Sequence, residues 1–310
     1  MKIVFMGTPE FAVLSLRALI ESEDEIVAVV CQPDKPKGRG LEVTSPPTRI
    51  LAEKHRIPVL QPQKIKTEEF FNELKKLSPD LICVAAYGKI LPKNILELTP
   101  HGCINVHASI LPKYRGAAPI NWAIIRGEKV TGITTMKMDE GMDTGNMLLK
   151  KEVPIDDEDT GESLSEILSH IGAELLIETI KLLKEGKLNA IPQDHSQATY
   201  APMLKKEDGK IDWEKSAEDI RNLIRGSLPW PGAYTTLEGR LLKIYKAKVT
   251  DGNGKPGEVI ESNSGVLRVT TGKDSLDILE LQIEGGKRLK AEEFLRGKKI
   301  QQGTMLGLVL

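Results

Sequence analysis

Lys2-Ile3-Val4-Phe5-Met6-Gly7-Thr8-Pro9-Glu10-Phe11, followed by Ile26-Val27-Ala28-Val29-Val30, decides the fold. The first run is apolar from Ile3 to Met6 and suits a short strand. Gly7 turns the chain, Thr8 is placed to cap a helix, and Pro9 suits a first helical position. Phe11, Leu14, Ala18 and Leu19 then recur at helical spacing. Ile26 to Val30 is a second strand. Both strands are continuously apolar rather than alternating, which predicts a parallel sheet covered on two faces. The turn after Gly7 lacks a G-x-G-x-x-G pattern, so a Rossmann-type topology is expected without a bound dinucleotide.

Outward from this unit, the chain has 310 residues, enough for two domains. With 40% hydrophobic and 28% charged residues it has the composition of a globular protein with a sizeable core. The formal net charge of −1 excludes a global basic field. Residues 188–310 nevertheless hold 19 Lys and Arg against 17 Asp and Glu, whereas the remainder holds 24 against 27. Cys31, Cys83 and Cys103 form no C-x-x-C pair and are expected as buried, reduced thiols. Met1 leads directly into a strand without a signal-peptide pattern, and no apolar run reaches the ~18–20 residues that span a bilayer. A cytoplasmic location without membrane attachment is the expectation.

Further along, Gln32 to Pro46 is a long Gly/Pro-rich connection carrying Lys35, Lys37 and Arg39. Three cations on such an arm suit contact with a phosphate backbone. Strands are predicted at 81–86, 103–107, 130–138 and 147–153. Helices are predicted at 47–55, 67–77, 118–126 and 162–184, the last with an apolar stripe that includes Leu164, Ile167, Leu168, Ile171 and Leu175. Residues 188–206 lack periodicity and are expected to link a domain at 1–187 to a second at 207–310. After a helix at 216–225, five short β runs with Gly and Asn turns predict a small barrel.

The chemistry gathers in Cys103-Ile104-Asn105-Val106-His107-Ala108-Ser109-Ile110-Leu111-Pro112. Alternation along the strand puts Asn105 and His107 on one face. The pair is either hydrogen-bonded core or half of an acyl-transfer site, and the residues alone leave both open. In the second case an amide can donate to a developing oxyanion and an imidazole can move protons near neutrality. Asp143, bracketed by Gly141 and Gly145, can orient the imidazole. Ser109 lacks a G-x-S-x-G elbow. Asp139 to Lys150 departs from a calcium loop at its third and twelfth positions, and no H-E-x-x-H occurs, so no metal is expected.

Three segments carry a resemblance: Gly102 to Pro112, Tyr114-Arg115-Gly116-Ala117-Ala118-Pro119, and Met138-Asp139-Glu140-Gly141-Met142-Asp143-Thr144-Gly145. Phe5 to Phe11, Gln32 to Gly40 and Pro229-Trp230-Pro231 extend it. Together they resemble the folate-dependent formyltransferase family over essentially the whole chain. The resemblance implies an α/β, Rossmann-type catalytic domain followed by a small OB-like β-barrel. It implies catalytic roles for Asn105, His107 and Asp143, and contact of Ser109, Ile110, Leu111 and Pro112 with the folate. Ala108 and Ile110 stand where the family often has Gly and Leu, a small change in pocket shape.

The implied donor is 10-formyltetrahydrofolate, and the implied acceptor is the α-amine of methionine on initiator tRNA. Lys35, Lys37 and Arg39 would enter the acceptor arm, and the C-terminal domain would hold the RNA. Basic candidates there are Lys205, Lys206, Lys243, Lys246, Lys248, Arg268, Lys287, Arg288 and Lys290. A monomer is implied. The rival readings are a formyltransferase acting on a small amine, such as glycinamide ribonucleotide or an amino sugar, and a tRNA-binding protein without catalysis.

Overall fold

β1 (Lys2–Gly7), α1 (Phe11–Ile20) and β2 (Glu25–Val30) form the expected parallel β-α-β unit. The computed structural model describes residues 1–37, 42–263 and 265–307. The chain divides into two units, one of Met1–Pro119, Val130–Pro154 and Ser165–Pro202, the other of Ile120–Lys129, Ile155–Leu164 and Met203–Leu310.

The start of α1 corrects one expectation. Glu10, not Thr8, holds the cap position, and no side chain caps the helix. The Thr8 hydroxyl instead accepts a hydrogen bond from the Gln32 N–H at 3.1 Å, tying the turn to the residue just beyond β2.

After a short hairpin of β3 (Lys35–Lys37) and β4 (Glu42–Thr44) come α2 (Pro47–Lys54), β5 (Val59–Leu60), α3 (Glu68–Lys76) and β6 (Leu81–Ala85). Thr67, the first residue of the predicted 67–77 helix, caps α3, its hydroxyl accepting from Phe70 N at 3.3 Å. Next are α4 (Lys93–Leu96), β7 (Cys103–His107), β8 (Arg115–Gly116) and α5 (Pro119–Ile125). β9 (Val130–Lys137), β10 (Met147–Pro154), α6 (Gly161–Lys184) and β11 (Tyr200–Ala201) follow.

The main sheet has the order β10-β9-β7-β6-β1-β2-β5. From β5 to β7 the strands are parallel, whereas β9 and β10 add an antiparallel edge. The chain starts in the middle at β1, goes one way through β2 and β5, and returns to the other side as β6 and β7. Ligands of open α/β sheets bind beyond the carboxyl ends of the strands at such a reversal. His107 is the last residue of β7. On one face, Val4, Met6, Ile82 and Val84 pack with Phe70, Leu74 and Ile95. Within α6, Leu168, Leu175 and Leu176 are buried, but Ile167 of the predicted stripe is exposed.

Residues 188–206 are more structured than a tether. They hold a 3-10 turn at His195–Gln197, and β11 pairs in parallel with β8.

The second unit contains α7 (Ala217–Gly226), β12 (Ala233–Leu237), β13 (Arg240–Thr250) and β14 (Val259–Glu261). β15 (Leu267–Thr270), β16 (Ser275–Ile283), β17 (Leu289–Lys290) and α8 (Ala291–Gly297) complete it. Its strands form a curled antiparallel sheet in the order β12-β13-β16-β15-β14, with β17 against β16. Leu242, Ile244, Val269, Leu276 and Ile278 form its core with Ile220 and Ile224 of α7. Register shifts on both sides of Lys246 mark a bulge in β13. There Tyr245 and Lys246 both leave the core between the buried Ile244 and Ala247. Among the described residues, no helix is long and apolar enough to cross a membrane.

Candidate active site

β7 is held between β6 and β9, with Asn105 opposite Val84 and Met136 and His107 opposite Thr134. Its five residues are all buried, so the strand has no solvent face and its polar side chains need local partners. The imidazole has them. Its Nε2 lies 3.0 Å from the Tyr114 carbonyl oxygen. A carbonyl only accepts, so this nitrogen carries a proton. Nδ1 lies 3.6 Å from Asp143 Oδ2, an ion-pair distance longer than a hydrogen bond.

Asn105 differs. It is 9% exposed, its side chain makes no hydrogen bond among the described residues, and neither amide atom is sealed from solvent. An amide held on a central strand, open at one end and unpaired, is available to an incoming carbonyl.

Asp143 sits in the left-handed region at φ 54°. Its loop is compact because Asp139 Oδ1 accepts from Gly141 N at 3.1 Å and from Thr144 Oγ1 at 2.6 Å. A Cβ on Gly145 would overlap the Lys137 carbonyl, so this turn excludes a side chain at that position. Asp143 Oδ2 accepts from Gly116 N at 2.8 Å. Gly116 has φ 118°, and a Cβ there would lie 2.7 Å from the Ala201 carbonyl oxygen. Glycine is thus required where β8 meets β11.

The Ser109–Pro112 turn is secured from β9. Thr134 Oγ1 donates to Ser109 O at 2.7 Å and accepts from Leu111 N at 3.2 Å. Ser109 Oγ donates to Lys113 O at 2.6 Å, so the hydroxyl is engaged in holding the turn. Ser109 and Leu111 are buried, whereas Ile110 and Pro112 are partly exposed. The latter two therefore offer the apolar wall.

Sequence reasoning missed the support behind Asp143. Arg115 is 2% exposed and has no carboxylate partner among the described residues. Its Nε and Nη2 donate to Gln193 Oε1 at 3.1 and 2.6 Å, and Nη2 also donates to His195 Nδ1 at 3.0 Å. Gln193 Nε2 in turn donates to the carbonyls of Asp143 at 2.8 Å and Gly145 at 2.7 Å. Arg115 belongs to the Tyr114–Pro119 motif, but Gln193 is 78 residues away in an aperiodic stretch and carries no local signal.

The basic candidates separate. Arg39 lies outside the described residues, and at Lys35–Lys37 the backbone strand pairs with Glu42–Thr44. Lys205, Lys206, Lys248, Lys287 and Lys290 are exposed and make no ion pair among the described residues, and Lys243 is partly buried and likewise unpaired. Three others are engaged. Lys246 pairs with Glu158 at 2.8 Å, Arg268 with Glu261 at 3.1 Å and Asp277 at 2.7 Å, and Arg288 with Glu280 at 2.5 Å. Arg268 and Arg288 are thus committed to neighbouring strands rather than presented as an open stripe. No group of three or more His, Cys, Asp or Glu able to hold a metal ion occurs among the described residues.

Comparison with known proteins matches residues 1–180 to the formyl transferase family model and residues 203–299 to the formyl transferase C-terminal domain. The methionyl-tRNA formyltransferase of Citrifermentans bemidjiense is 53% identical over 307 residues, covering 99% of this chain and 96% of that protein. Among solved structures, methionyl-tRNA formyltransferase from Clostridium thermocellum has a TM-score of 0.56 at 21% identity, over 82% of this chain and 95% of that one. WlaRD, a sugar 3N-formyl transferase solved with dTDP and 5-N-formyl-THF, has a TM-score of 0.69 at 20% identity, over 93% of this chain and 99% of that one. At these identities the two structures speak for the fold alone, since it serves a tRNA enzyme and a sugar enzyme alike. Sequence identity across nearly the full length decides between them: the chain belongs to the formyl transferase family, in its methionyl-tRNA formyltransferase group.

Proposed function

We propose that the chain transfers a formyl group from 10-formyltetrahydrofolate to the α-amine of methionine on initiator tRNA. The observation that carries this reading is the unpaired amide of Asn105 beside His107, with Asp143 facing the same imidazole. A flat heteroaromatic donor fits the half-exposed Ile110 and Pro112, whose neighbours Ser109 and Leu111 have their polar groups engaged with Lys113 and Thr134. The folate supplies an activated formyl carbon, and the amine attacks it directly, so no protein nucleophile is needed.

Three residues divide the work. Asn105 donates an N–H to the carbonyl oxygen as negative charge develops there. His107 exchanges a proton through Nδ1, because Nε2 is committed to Tyr114 O. Asp143, fixed by the Gly116 N–H, faces Nδ1 at 3.6 Å and orients the ring. The pair thereby provides for the proton lost by the ammonium and gained by the leaving nitrogen. Lys35, Lys37 and Arg39, together with exposed lysines such as Lys205, Lys206, Lys243 and Lys248, hold the RNA in this reading, with Lys246 joining once Glu158 is displaced.

The name shared by relatives at 52–55% identity favours a charged tRNA over a sugar or nucleotide amine. Single-turnover formylation tests this directly. Initiator methionyl-tRNA should accept the formyl group with 10-formyltetrahydrofolate as donor. Transfer to an amino sugar or glycinamide ribonucleotide, with none to the charged tRNA, would overturn the reading.

A further inference from the structure

The second unit contains a cleft of about 130 Å³ between the 157–160 loop, α7, the β13 bulge and Arg288. Four cations line it: Arg221, Arg225, Lys246 and Arg288. Two carboxylates, Asp157 and Glu158, also line it. Asp157 is engaged by Lys129 at 3.2 Å.

Arg225 is the unusual member. It is 7% exposed, and among the described residues each of its hydrogen-bond partners is neutral, while the carboxylates of Glu218, Asp157 and Asp159 act on it only through space. Nε donates to Asn222 Oδ1 at 2.9 Å, and Nη1 donates to the carbonyls of Asp156 and Asp159, each at 3.0 Å. Nη2 makes no hydrogen bond among the described residues and is not sealed from solvent. Burial, then the neighbouring Arg221, lower the pKa from its ordinary value, yet a guanidinium stays charged. A nine-tenths-buried cation with a free N–H beside a cleft calls for an anion.

Glu158 already shows the geometry of one. Its exposed carboxylate bridges two cations at the cleft, with Oε2 2.8 Å from Lys246 Nζ and Oε1 3.7 Å from Arg221 Nη2. Two oxygens of a phosphate could make the same bridge, and a third could reach Arg225. The β13 bulge matters here, because it turns Tyr245 and Lys246 out of the core together, and Arg288 stacks over the Tyr245 ring at 4.4 Å.

We propose that this cleft binds a phosphate group, held by Lys246, Arg221 and the free Nη2 of Arg225, and that Glu158 is a resident carboxylate which the phosphate displaces. The phosphate could come from an RNA backbone or from the free ion. The RNA case rests on the proposed acceptor, whereas the free-ion case does not.

The test uses the full chain and the exposed side chains Glu158 and Lys246, which can change without disturbing the core. Two probes are titrated, neither requiring catalysis: inorganic phosphate, read as a shift in thermal midpoint at constant ionic strength, and uncharged initiator tRNA, read as affinity against salt. Glu158→Gln should tighten phosphate binding roughly 3–10-fold, and Lys246→Gln should weaken it by a similar factor. Glu292→Gln, on α8, is the charge control and should leave it unchanged.

If the phosphate is that of RNA, tRNA affinity follows the same order, and Lys246→Gln lowers the salt slope by about 0.7–0.9. If only the inorganic phosphate response moves, the cleft serves the free ion. The proposal is overturned if neither probe responds, if the two variants shift binding in one direction, or if Glu292→Gln reproduces Glu158→Gln. Failure of formyl transfer would leave the phosphate readout intact, so the two readings fail separately.

Discussion

His107 and Tyr87 are both buried rings carrying a polar atom, and their settings assign them opposite consequences. His107 has a partner on each nitrogen, Tyr114 O and Asp143. Its replacement by Ala, or that of Asn105 by Ala, should lower single-turnover formylation about 10²–10³-fold, since in the proposed reaction each acts where charge develops or a proton moves. Near-normal rates in both variants would remove the catalytic assignment. Tyr87 is 2% exposed, and its hydroxyl has no hydrogen-bond partner among the described residues. Burial pushes that phenol well above its usual range. Tyr87→Phe removes an unsatisfied group while keeping the packed ring, so it should stabilise by about 1 kcal/mol in urea unfolding with formylation unchanged. A loss of more than that amount would show that the hydroxyl has a partner in solution. The cysteines match their expected state. All three are free and buried, and burial raises the Cys31 thiol to about 11 and the Cys103 thiol to about 12.

At the scale of elements, what was legible followed local pattern. The apolar runs at Ile3–Met6 and Ile26–Val30, the Thr67 cap, and the glycines around Asp143 all act within a few residues, and each marks its element in the chain. The convergence of Asn105 and His107 was also local, because both lie on one strand. The brace behind Asp143 is not. It needs β8 to pair with β11 and Gln193 to reach Arg115 across 78 residues. Nothing in an aperiodic polar stretch announces such a contact. Removing it should therefore act through position rather than chemistry. Gln193→Ala leaves Arg115 with His195 alone and frees the carbonyls of Asp143 and Gly145. The expected result is a loss of about 2–4 kcal/mol in stability and about tenfold in turnover. KM for the folate should be little changed. A selective rise in that KM, with turnover kept, would place Gln193 in the folate pocket instead of behind the catalytic loop.

Over the whole molecule, the change from βα periodicity to short β runs after residue 232 marked two architectures, while long-range ion pairs stayed hidden. Asp24 is the clearest. Its side chain is 3% exposed and contacts both Lys184, at 2.6 Å, and the Met1 ammonium, at 2.7 Å. One carboxylate thus joins the start of β1 to the last turn of α6 across 160 residues. Burial raises its pKa, but the hydrogen bonds and charges of Lys184 and the Met1 ammonium outweigh this, and the net shift is downward. A folded-state value below the unfolded one means that ionised Asp24 stabilises the fold. That contribution is complete above the unfolded value near 3.8 and fades as pH falls through the folded value. Asp24→Asn should therefore be less stable than the parent by about 1–2 kcal/mol at pH 7, measured by urea unfolding. The difference should shrink steadily below about pH 4, as Asp24 of the parent takes up its proton. A gap that persists unchanged to pH 2.5 would mean that the amide disturbs packing, and that the bridge between β1 and α6 contributes through shape rather than charge.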